Sequence, residues 1–283
     1  MTSIQAVILA VLQGATELFP VSSLGHAVVL PALLHWPINQ NDPAFLPFLV
    51  MLHVGTAAAL LLYFWRDWWA LFTGVIGWAS AHEARESRRV FLLIVIATIP
   101  AIIVGFVLEH FFRRLFGAPV VTAAVLVVNG VLLLVGERLR GGRRTQGRRP
   151  LSALTIGDAL AIGCWQCTAL VPGISRSGAT IVGGLLRGVD HAGAAHFSFL
   201  IATPIILGAT ALEVPKLRHV GAALAPNVVS LSVVAAVVAG ITAFASTAFL
   251  MRYFRSNDAW ALNPFAYYCF VAGLGSLAVL LLR

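Results

Sequence analysis

Residues 12–26 read Leu12-Gln-Gly-Ala-Thr-Glu-Leu-Phe-Pro-Val-Ser-Ser-Leu-Gly-His26 and place polar groups inside an otherwise apolar chain. Gln13 and Glu17 are four residues apart, so a helix presents both side chains on one face. Pro20 prevents this helix from continuing, and Ser22 and Ser23 are typical N-caps for a second short helix. Ionisable groups at a helix break within a membrane are costly and usually mark a functional site. The stretch therefore predicts a buried polar site that the other helices surround.

The composition indicates an integral membrane protein. Of the 283 residues, 59% are hydrophobic and 11% are charged, whereas soluble domains carry roughly 25% charged residues. The net charge of +8 comes from arginines in loops between apolar segments, which is the positive-inside pattern of membrane proteins and argues against nucleic acid as a partner. Cys164 and Cys167 have no second Cys or His pair at zinc spacing, so we interpret them as packing residues.

The apolar segments predict the fold class, because a helix needs about 20 apolar residues to cross the hydrocarbon core. Six segments are predicted to span the membrane: 46–65, 90–108, 119–135, 194–214, 227–251 and 265–282. Residues 4–34 and 154–186 are also apolar but are interrupted by Pro and Gly, and we expect each to form a re-entrant helix-loop-helix hairpin. The prediction is an all-α integral membrane protein with about six transmembrane helices and two re-entrant hairpins, in one polytopic domain over residues 1–283.

The two broken regions resemble each other. Residues 165–180 read Trp165-Gln-Cys-Thr-Ala-Leu-Val-Pro-Gly-Ile-Ser-Arg-Ser-Gly-Ala-Thr180 and, like the first stretch, run from Gln through Pro to Ser-x-x-Gly. This suggests an internal duplication. We expect repeat 1 over about residues 1–136, a cytoplasmic linker over about 137–152, and repeat 2 over about 153–283.

Charge counting predicts the orientation. If both hairpins are re-entrant, one side of the membrane collects 12 basic residues: Arg66, Arg85, Arg88, Arg89, Arg138, Arg140, Arg143, Arg144, Arg148, Arg149, Arg252 and Arg255. The other side collects five: Arg113, Arg114, Lys216, Arg218 and Arg283. The positive-inside rule places the richer side in the cytoplasm and both termini outside. The hairpins then enter from opposite sides as inverted repeats, so we expect Glu17 and Arg176 to meet within the membrane.

Glu17 is the only acid deep in the first broken region, and we interpret it as a metal ligand or general base. The alternative is a structural carboxylate paired with a distant arginine. Gln13 could complete a metal-ligand set without adding charge.

His26 follows the two serines at the loop and is a candidate nucleophile or proton donor, with a satisfied core histidine as the alternative. His35 and His53 have no such setting and are interpreted as structural. Ser22 and Ser23 suit N-caps and hydrogen bonds, although either could also be a nucleophile. Ser22 is in addition a candidate phosphate-binding hydroxyl.

Arg176 lies in Pro-Gly-Ile-Ser-Arg-Ser-Gly-Ala-Thr, residues 172–180. A helix that begins near Ser177 points its positive end at an anion, and the guanidinium is a planar fork suited to phosphate oxygens. Three neighbouring hydroxyls supply further donors: Ser175, Ser177 and Thr180. The pattern predicts a phosphate site, with structural pairing of Arg176 to Asp158 or Glu17 as the alternative. A carboxylate, a histidine and such an arginine within a membrane indicate phosphoryl chemistry on a lipid.

The motifs Gln-Gly-Ala-Thr-Glu-x-x-Pro-Val-Ser-Ser-x-Gly-His and Pro-Gly-x-Ser-Arg-Ser-Gly-Ala-Thr resemble the two signature motifs of the bacterial undecaprenyl-diphosphate phosphatase family, also known for bacitracin resistance. The likeness extends to residues 197–204 and 208–212 and covers the whole chain in order. It implies a multi-pass enzyme of the bacterial plasma membrane that removes the terminal phosphate of undecaprenyl diphosphate and so recycles the lipid carrier of peptidoglycan synthesis.

The resemblance also implies a divalent metal, Mg²⁺ or Ca²⁺, an active site that opens to the outer face, and a homodimer. It maps Gln13 and Glu17 to the acidic motif, Ser23 and His26 to the candidate nucleophile or base, and Arg176 to the phosphate clamp. The family accepts Glu or Gln at the first motif position. Because this chain has Gln13, one possible carboxylate ligand is absent and the metal stoichiometry stays open.

Two other functions were weighed. Inverted repeats with broken helices are common in secondary transporters, so a lipid or ion transporter or flippase is the non-enzyme alternative. The acid phosphatase superfamily that acts on lipid phosphates would need a further His and Asp after Arg176. The chain shows Gly-Ala-Thr-Ile-Val-Gly-Gly there, which excludes that superfamily.

Overall fold

The computed structural model describes residues 1–36, 38, 45–108, 118–140, 149–221 and 226–282. Within these ranges the chain forms α-helices and one 3₁₀ turn, Leu151–Ala153, and no strand. The helices are α1 (Ser3–Thr16), α2 (Ser23–Leu33), α3 (Phe45–Tyr63), α4 (Trp65–Ile76), α5 (Ala81–Val107), α6 (Pro119–Arg140), α7 (Ile156–Thr168), α8 (Arg176–Leu186), α9 (His191–Gly221), α10 (Pro226–Ser256) and α11 (Asn263–Leu281). The predicted all-α membrane class is confirmed.

Five helices are long and apolar enough to cross a membrane, namely α5, α6, α9, α10 and α11. A sixth candidate is the pair α3 and α4, which bends by 75° at its break. The span predicted for residues 46–65 therefore ends at Tyr63. The apolar pattern does not predict α4, because its first turn carries Arg66 and Asp67 and interrupts the hydrophobic run.

Both predicted hairpins are pairs of short helices. The pairs α1–α2 and α7–α8 contain helices of 14, 11, 13 and 11 residues, each too short to span a bilayer alone. Helix α1 packs on α10, whereas α7 packs on α5. Each hairpin thus lies against a long helix from the other half of the chain. The linker residues 141–148 and the arginines at 113, 114 and 283 lie outside the described residues.

Glycines bring the long helices into close contact. A Cβ on Gly14 of α1 would overlap the carbonyl oxygen of Ala239 in α10, and a Cβ on Gly55 of α3 would overlap that of Ala236. Small residues at helix interfaces allow backbones to approach closely, which is how helices gain packing energy in lipid. These contacts hold α1 and α3 side by side on α10.

A buried polar network anchors one end of the helix bundle. Glu137 Oε1 of α6 accepts hydrogen bonds from His191 Nε2 and from the Leu262 amide, both at 2.7 Å. Arg140 donates to Asp258 Oδ1 at 2.7 Å, and the His191 amide donates to the same oxygen at 3.1 Å. Partial burial alone would raise the pKa of the Asp258 carboxyl, but the hydrogen bonds from His191 and Arg140 hold this pKa below its ordinary value. The network ties α6, α9 and the loop before α11 together.

Candidate active site

The site lies at the breaks of the two hairpins. Helix α1 ends at Thr16, and α2 begins at Ser23 after Ser22, whose Oγ accepts from the Gly25 amide at 3.2 Å. Ser22 has a φ of 69°, a conformation that is uncommon outside glycine and that concentrates at functional sites. In the second hairpin Ser175 is the N-cap of α8, its Oγ accepting from the Gly178 amide at 3.1 Å. The helix starts predicted from the serines are confirmed.

Glu17 is buried and accepts hydrogen bonds from three side chains of the site. Its Oε2 accepts hydrogen bonds from Ser23 Oγ at 2.5 Å and from Gln13 Nε2 at 3.0 Å. Its Oε1 accepts from Arg176 Nη2 at 3.1 Å. The predicted meeting of Glu17 and Arg176 is therefore confirmed, and the two hairpins form one composite site.

Arg176 is the first residue of α8 and is held at two points. Besides Glu17, it donates from Nη1 to the carbonyl oxygen of Ser198 in α9 at 3.4 Å. Asp158, the other acid weighed as its partner, pairs instead with Arg187 and Arg149 at 2.6 and 2.7 Å. The guanidinium thus stands at a helix N-terminus beside a buried carboxylate, where both the helix dipole and its own charge favour an anion.

The hydroxyls predicted to bind phosphate have protein partners in this structure. Ser175 Oγ and Ser177 Oγ donate to the carbonyl oxygen of Phe19, at 3.3 and 3.0 Å. Thr180 Oγ1 donates to the Arg176 carbonyl oxygen at 2.8 Å and lies 2.6 Å from Ser198 Oγ. These side chains connect the two hairpins and anchor α8, and of the second motif only Arg176 reaches Glu17.

The His26 side chain is directed toward α11 and does not bind Glu17 in the described contacts. Its Nδ1 lies 2.7 Å from the Ser22 carbonyl oxygen, and its Nε2 lies 2.7 Å from the hydroxyl of Tyr268 in α11. A carbonyl oxygen only accepts hydrogen bonds, so Nδ1 carries a proton. In the neutral ring Nε2 then accepts from Tyr268. Both ring nitrogens are engaged away from the Glu17–Ser23 pair.

Sequence reasoning missed two side chains at this site. His53, interpreted as structural, has its Nε2 3.7 Å from Glu17 Oε2, and its Nδ1 lies 2.8 Å from the Leu49 carbonyl oxygen. Asn129 of α6 binds both hairpin breaks, at Pro20 and at Ser175. A polar residue inside an apolar span was the available signal in both cases.

The donor set fits a hard divalent cation only in part. Gln13 Oε1 is buried without a hydrogen-bond partner in the described part of the chain, and together with the Glu17 carboxylate it supplies the oxygen ligands that Mg²⁺ and Ca²⁺ prefer. Among the described residues, no group of three His, Cys, Asp or Glu side chains is placed to hold a metal ion. A cation at Gln13 and Glu17 would therefore need further oxygen ligands, and substrate phosphates are the usual ones for Mg²⁺.

Comparison with known proteins gives one matching family and several relatives over the full length of the chain. The model of the family described as bacitracin resistance protein BacA matches residues 6–275. An undecaprenyl-diphosphatase of Granulibacter bethesdensis is 66% identical, over 98% of this chain and 97% of the relative. The proteins of that name from Acidiphilium cryptum and Gluconobacter oxydans are 55% and 52% identical, over 99% and 100% of each chain.

Proposed function

The chain belongs to the bacitracin resistance protein BacA family, and from this premise we propose that it is an undecaprenyl-diphosphatase. It hydrolyses undecaprenyl diphosphate to undecaprenyl phosphate and inorganic phosphate. The reaction returns the lipid carrier to peptidoglycan synthesis and confers resistance to bacitracin.

One contact carries the proposal most directly. Ser23 Oγ lies 2.5 Å from Glu17 Oε2, and the other oxygen of the same carboxylate lies 3.1 Å from Arg176. A hydroxyl and a guanidinium thereby contact the two oxygens of one buried carboxylate, which can act as a base. This set is what nucleophilic phosphoryl transfer requires: a nucleophile, a proton acceptor and a positive group for the phosphoryl oxygens.

In the first step Ser23 Oγ attacks the terminal phosphorus. Glu17 accepts the hydroxyl proton as the new O–P bond forms, while the bond between phosphorus and the bridging oxygen breaks. Undecaprenyl phosphate leaves with that oxygen. Arg176 exchanges part of its contact with Glu17 for the phosphoryl oxygens, and its planar fork has donors for both.

In the second step water attacks the phosphoserine. Glu17, which has passed its first proton on to solvent, accepts a proton from this water. The Ser23 oxygen leaves phosphorus and is reprotonated, and inorganic phosphate is released. The hydrogen bond from Gln13 Nε2 holds Glu17 in place in both steps.

A divalent cation held by Gln13 and Glu17 would add positive charge against the phosphate oxygens. The orphaned oxygen of Gln13 supports this part of the proposal. Binding of Mn²⁺ to the purified protein, measured by electron paramagnetic resonance, tests it independently of activity, and Gln13→Leu should weaken that binding.

Phosphate release from undecaprenyl diphosphate by the purified protein in detergent tests the function. Wild type should release phosphate, Arg176→Gln should lose about 10²–10³-fold in rate, since one electrostatic donor at a reacting centre is worth that much, and the matched Arg138→Gln at an exposed site should retain it. No release from folded wild type, with Mg²⁺ or Ca²⁺ present, rejects the proposal. Translocation of labelled lipid across vesicles by the same sample would then favour the transporter.

The orientation and assembly belong to the same proposal. The arginine count supports cytoplasmic loops between α4 and α5 and after α6, with both termini and the active site toward the outer face. Labelling of single cysteines near the termini with an impermeant maleimide in intact cells tests this orientation. The homodimer rests on the family resemblance, and the mass of the protein in detergent by light scattering tests it.

A further inference from the structure

Asn129 lies in the middle of α6, outside both sequence motifs, and its side chain is fully buried. Its Nδ2 donates to the Pro20 carbonyl oxygen at 3.0 Å and to Cys269 Sγ at 3.3 Å. Its Oδ1 accepts from the Ser175 amide at 2.9 Å. Both N–H groups and the carbonyl oxygen of one amide are thus engaged.

The two backbone groups that Asn129 binds are the important ones. Pro20 follows Glu17 by three residues, and Ser175 directly precedes Arg176. Both lie in non-helical breaks, where backbone groups lack the hydrogen bonds of a helix and need partners from elsewhere in the protein. One side chain on a long helix therefore binds the segments that carry the base and the phosphate-binding arginine.

Packing around Asn129 places α6 against both breaks. Gly173 has a φ of 107°, and a Cβ there would lie 2.7 Å from the carbonyl oxygen of Thr122 in α6. A Cβ on Gly178 would meet Pro20 Cβ at 3.2 Å, which shows that the first turn of α8 packs against the break of the first hairpin. The two hairpins are therefore closely packed at this point.

We propose that Asn129 is a positioning residue for phosphate hydrolysis, because its amide sets the spacing between Glu17 and Arg176. The inference rests on the proposed function. A displacement of about 1 Å at a reacting centre costs on the order of 10²-fold in rate. Loss of the hydrogen bonds from Asn129 to Pro20 and Ser175 should therefore change kcat more than substrate binding.

The test uses the full-length protein in detergent and two variants. Asn129→Leu keeps the branched shape and the number of heavy atoms of the side chain and removes all the hydrogen bonds. Thr122→Val is the matched control, because Thr122 is a fully buried residue of the same helix whose hydroxyl has no hydrogen-bond partner in the described residues. The readouts are kcat, KM and hydrogen–deuterium exchange of residues 17–23 and 173–178.

Asn129→Leu should lower kcat by about 100-fold and change KM by no more than about threefold. Exchange should rise in both segments while the long helices stay protected. Thr122→Val should match wild type in every readout.

Unchanged exchange in Asn129→Leu, or a rise spread over the whole chain, would overturn the inference, as would unchanged kcat in a variant whose two segments exchange faster. The exchange readout does not depend on activity. Absence of phosphate release in wild type would reject the proposed function alone, and the coupling of the two breaks would still be decided by exchange.

Discussion

Replacing Ser23 or His26 separates the two candidate nucleophiles. Ser23→Ala removes the oxygen that lies 2.5 Å from Glu17 and leaves the rest of the site in place. His26→Gln removes a ring that binds the Ser22 carbonyl oxygen and the Tyr268 hydroxyl. The two changes therefore affect different parts of the hairpin.

The structure predicts effects of different size. Without the attacking oxygen, Ser23→Ala should lose at least about 10³-fold in kcat, equivalent to about 4 kcal/mol. It should still fold, because Glu17 keeps its bonds to Gln13 and Arg176. The amide of Gln can still make one of the two contacts of His26. His26→Gln therefore loses one neutral hydrogen bond worth about 0.5–1.5 kcal/mol, which corresponds to a loss of about tenfold at most.

The assay is release of labelled phosphate from undecaprenyl diphosphate at saturating substrate, with thermal unfolding as the control for folding. Acid quenching of the wild type during turnover, followed by mass spectrometry of peptides, should find phosphate on Ser23. A folded Ser23→Ala protein with near-normal kcat, or a loss in His26→Gln that exceeds it, refutes Ser23 as the nucleophile and assigns the attack to His26 or to water.

Two further predictions concern stability. Gly14→Ala should lower the melting temperature in detergent, because its Cβ would overlap the Ala239 carbonyl oxygen. Gly275→Ala is the control and should leave the melting temperature unchanged, because a Cβ there meets open space. Equal melting temperatures of the two variants would contradict this packing. Because the folded-state pKa of Asp258 is lowered, its contribution is present above the unfolded pKa of about 4 and is lost as pH falls through the folded value. The free energy of unfolding of wild type should therefore exceed that of Asp258→Asn at neutral pH, and this difference should shrink below about pH 4. A difference that does not change with pH would show that the hydrogen bonds from His191 do not favour the charged carboxylate.

The helix breaks could be predicted because their causes are local. Pro20 excludes a helix at its position, and Ser22 and Ser175 cap the helices that follow them. The meeting of Glu17 and Arg176 followed from the likeness of the two broken regions, which implied opposed hairpins. Local chemistry and the likeness of the two broken regions were enough to predict that Glu17 and Arg176 meet.

His53 could not be placed from sequence, because α3 is apolar on every face and its pattern does not indicate which side is buried. The rotation of α3 is set by the close contact of Gly55 with Ala236, a feature of packing between distant helices. The direction of His53 toward Glu17 could be predicted only if this rotation were known. The same reasoning applies to Asn129 in α6.

The hydroxyls of the second motif show what residue type alone leaves open. Their pattern is typical of phosphate sites, yet Ser175 and Ser177 bind the Phe19 carbonyl oxygen. Serines at a helix start always have backbone groups within reach, so residue type alone cannot distinguish a cap from a ligand. The break in the other hairpin, which supplies this carbonyl, is distant in sequence.

The most direct test of the central claim is a double-mutant cycle on phosphate release with Glu17→Gln, Arg176→Gln and the double variant. Residues that act as one unit are strongly non-additive. If the two hairpins form one catalytic site, the double variant should be no slower than the slower single variant. Losses in kcat/KM that multiply would show that Glu17 and Arg176 act independently and would contradict a composite site.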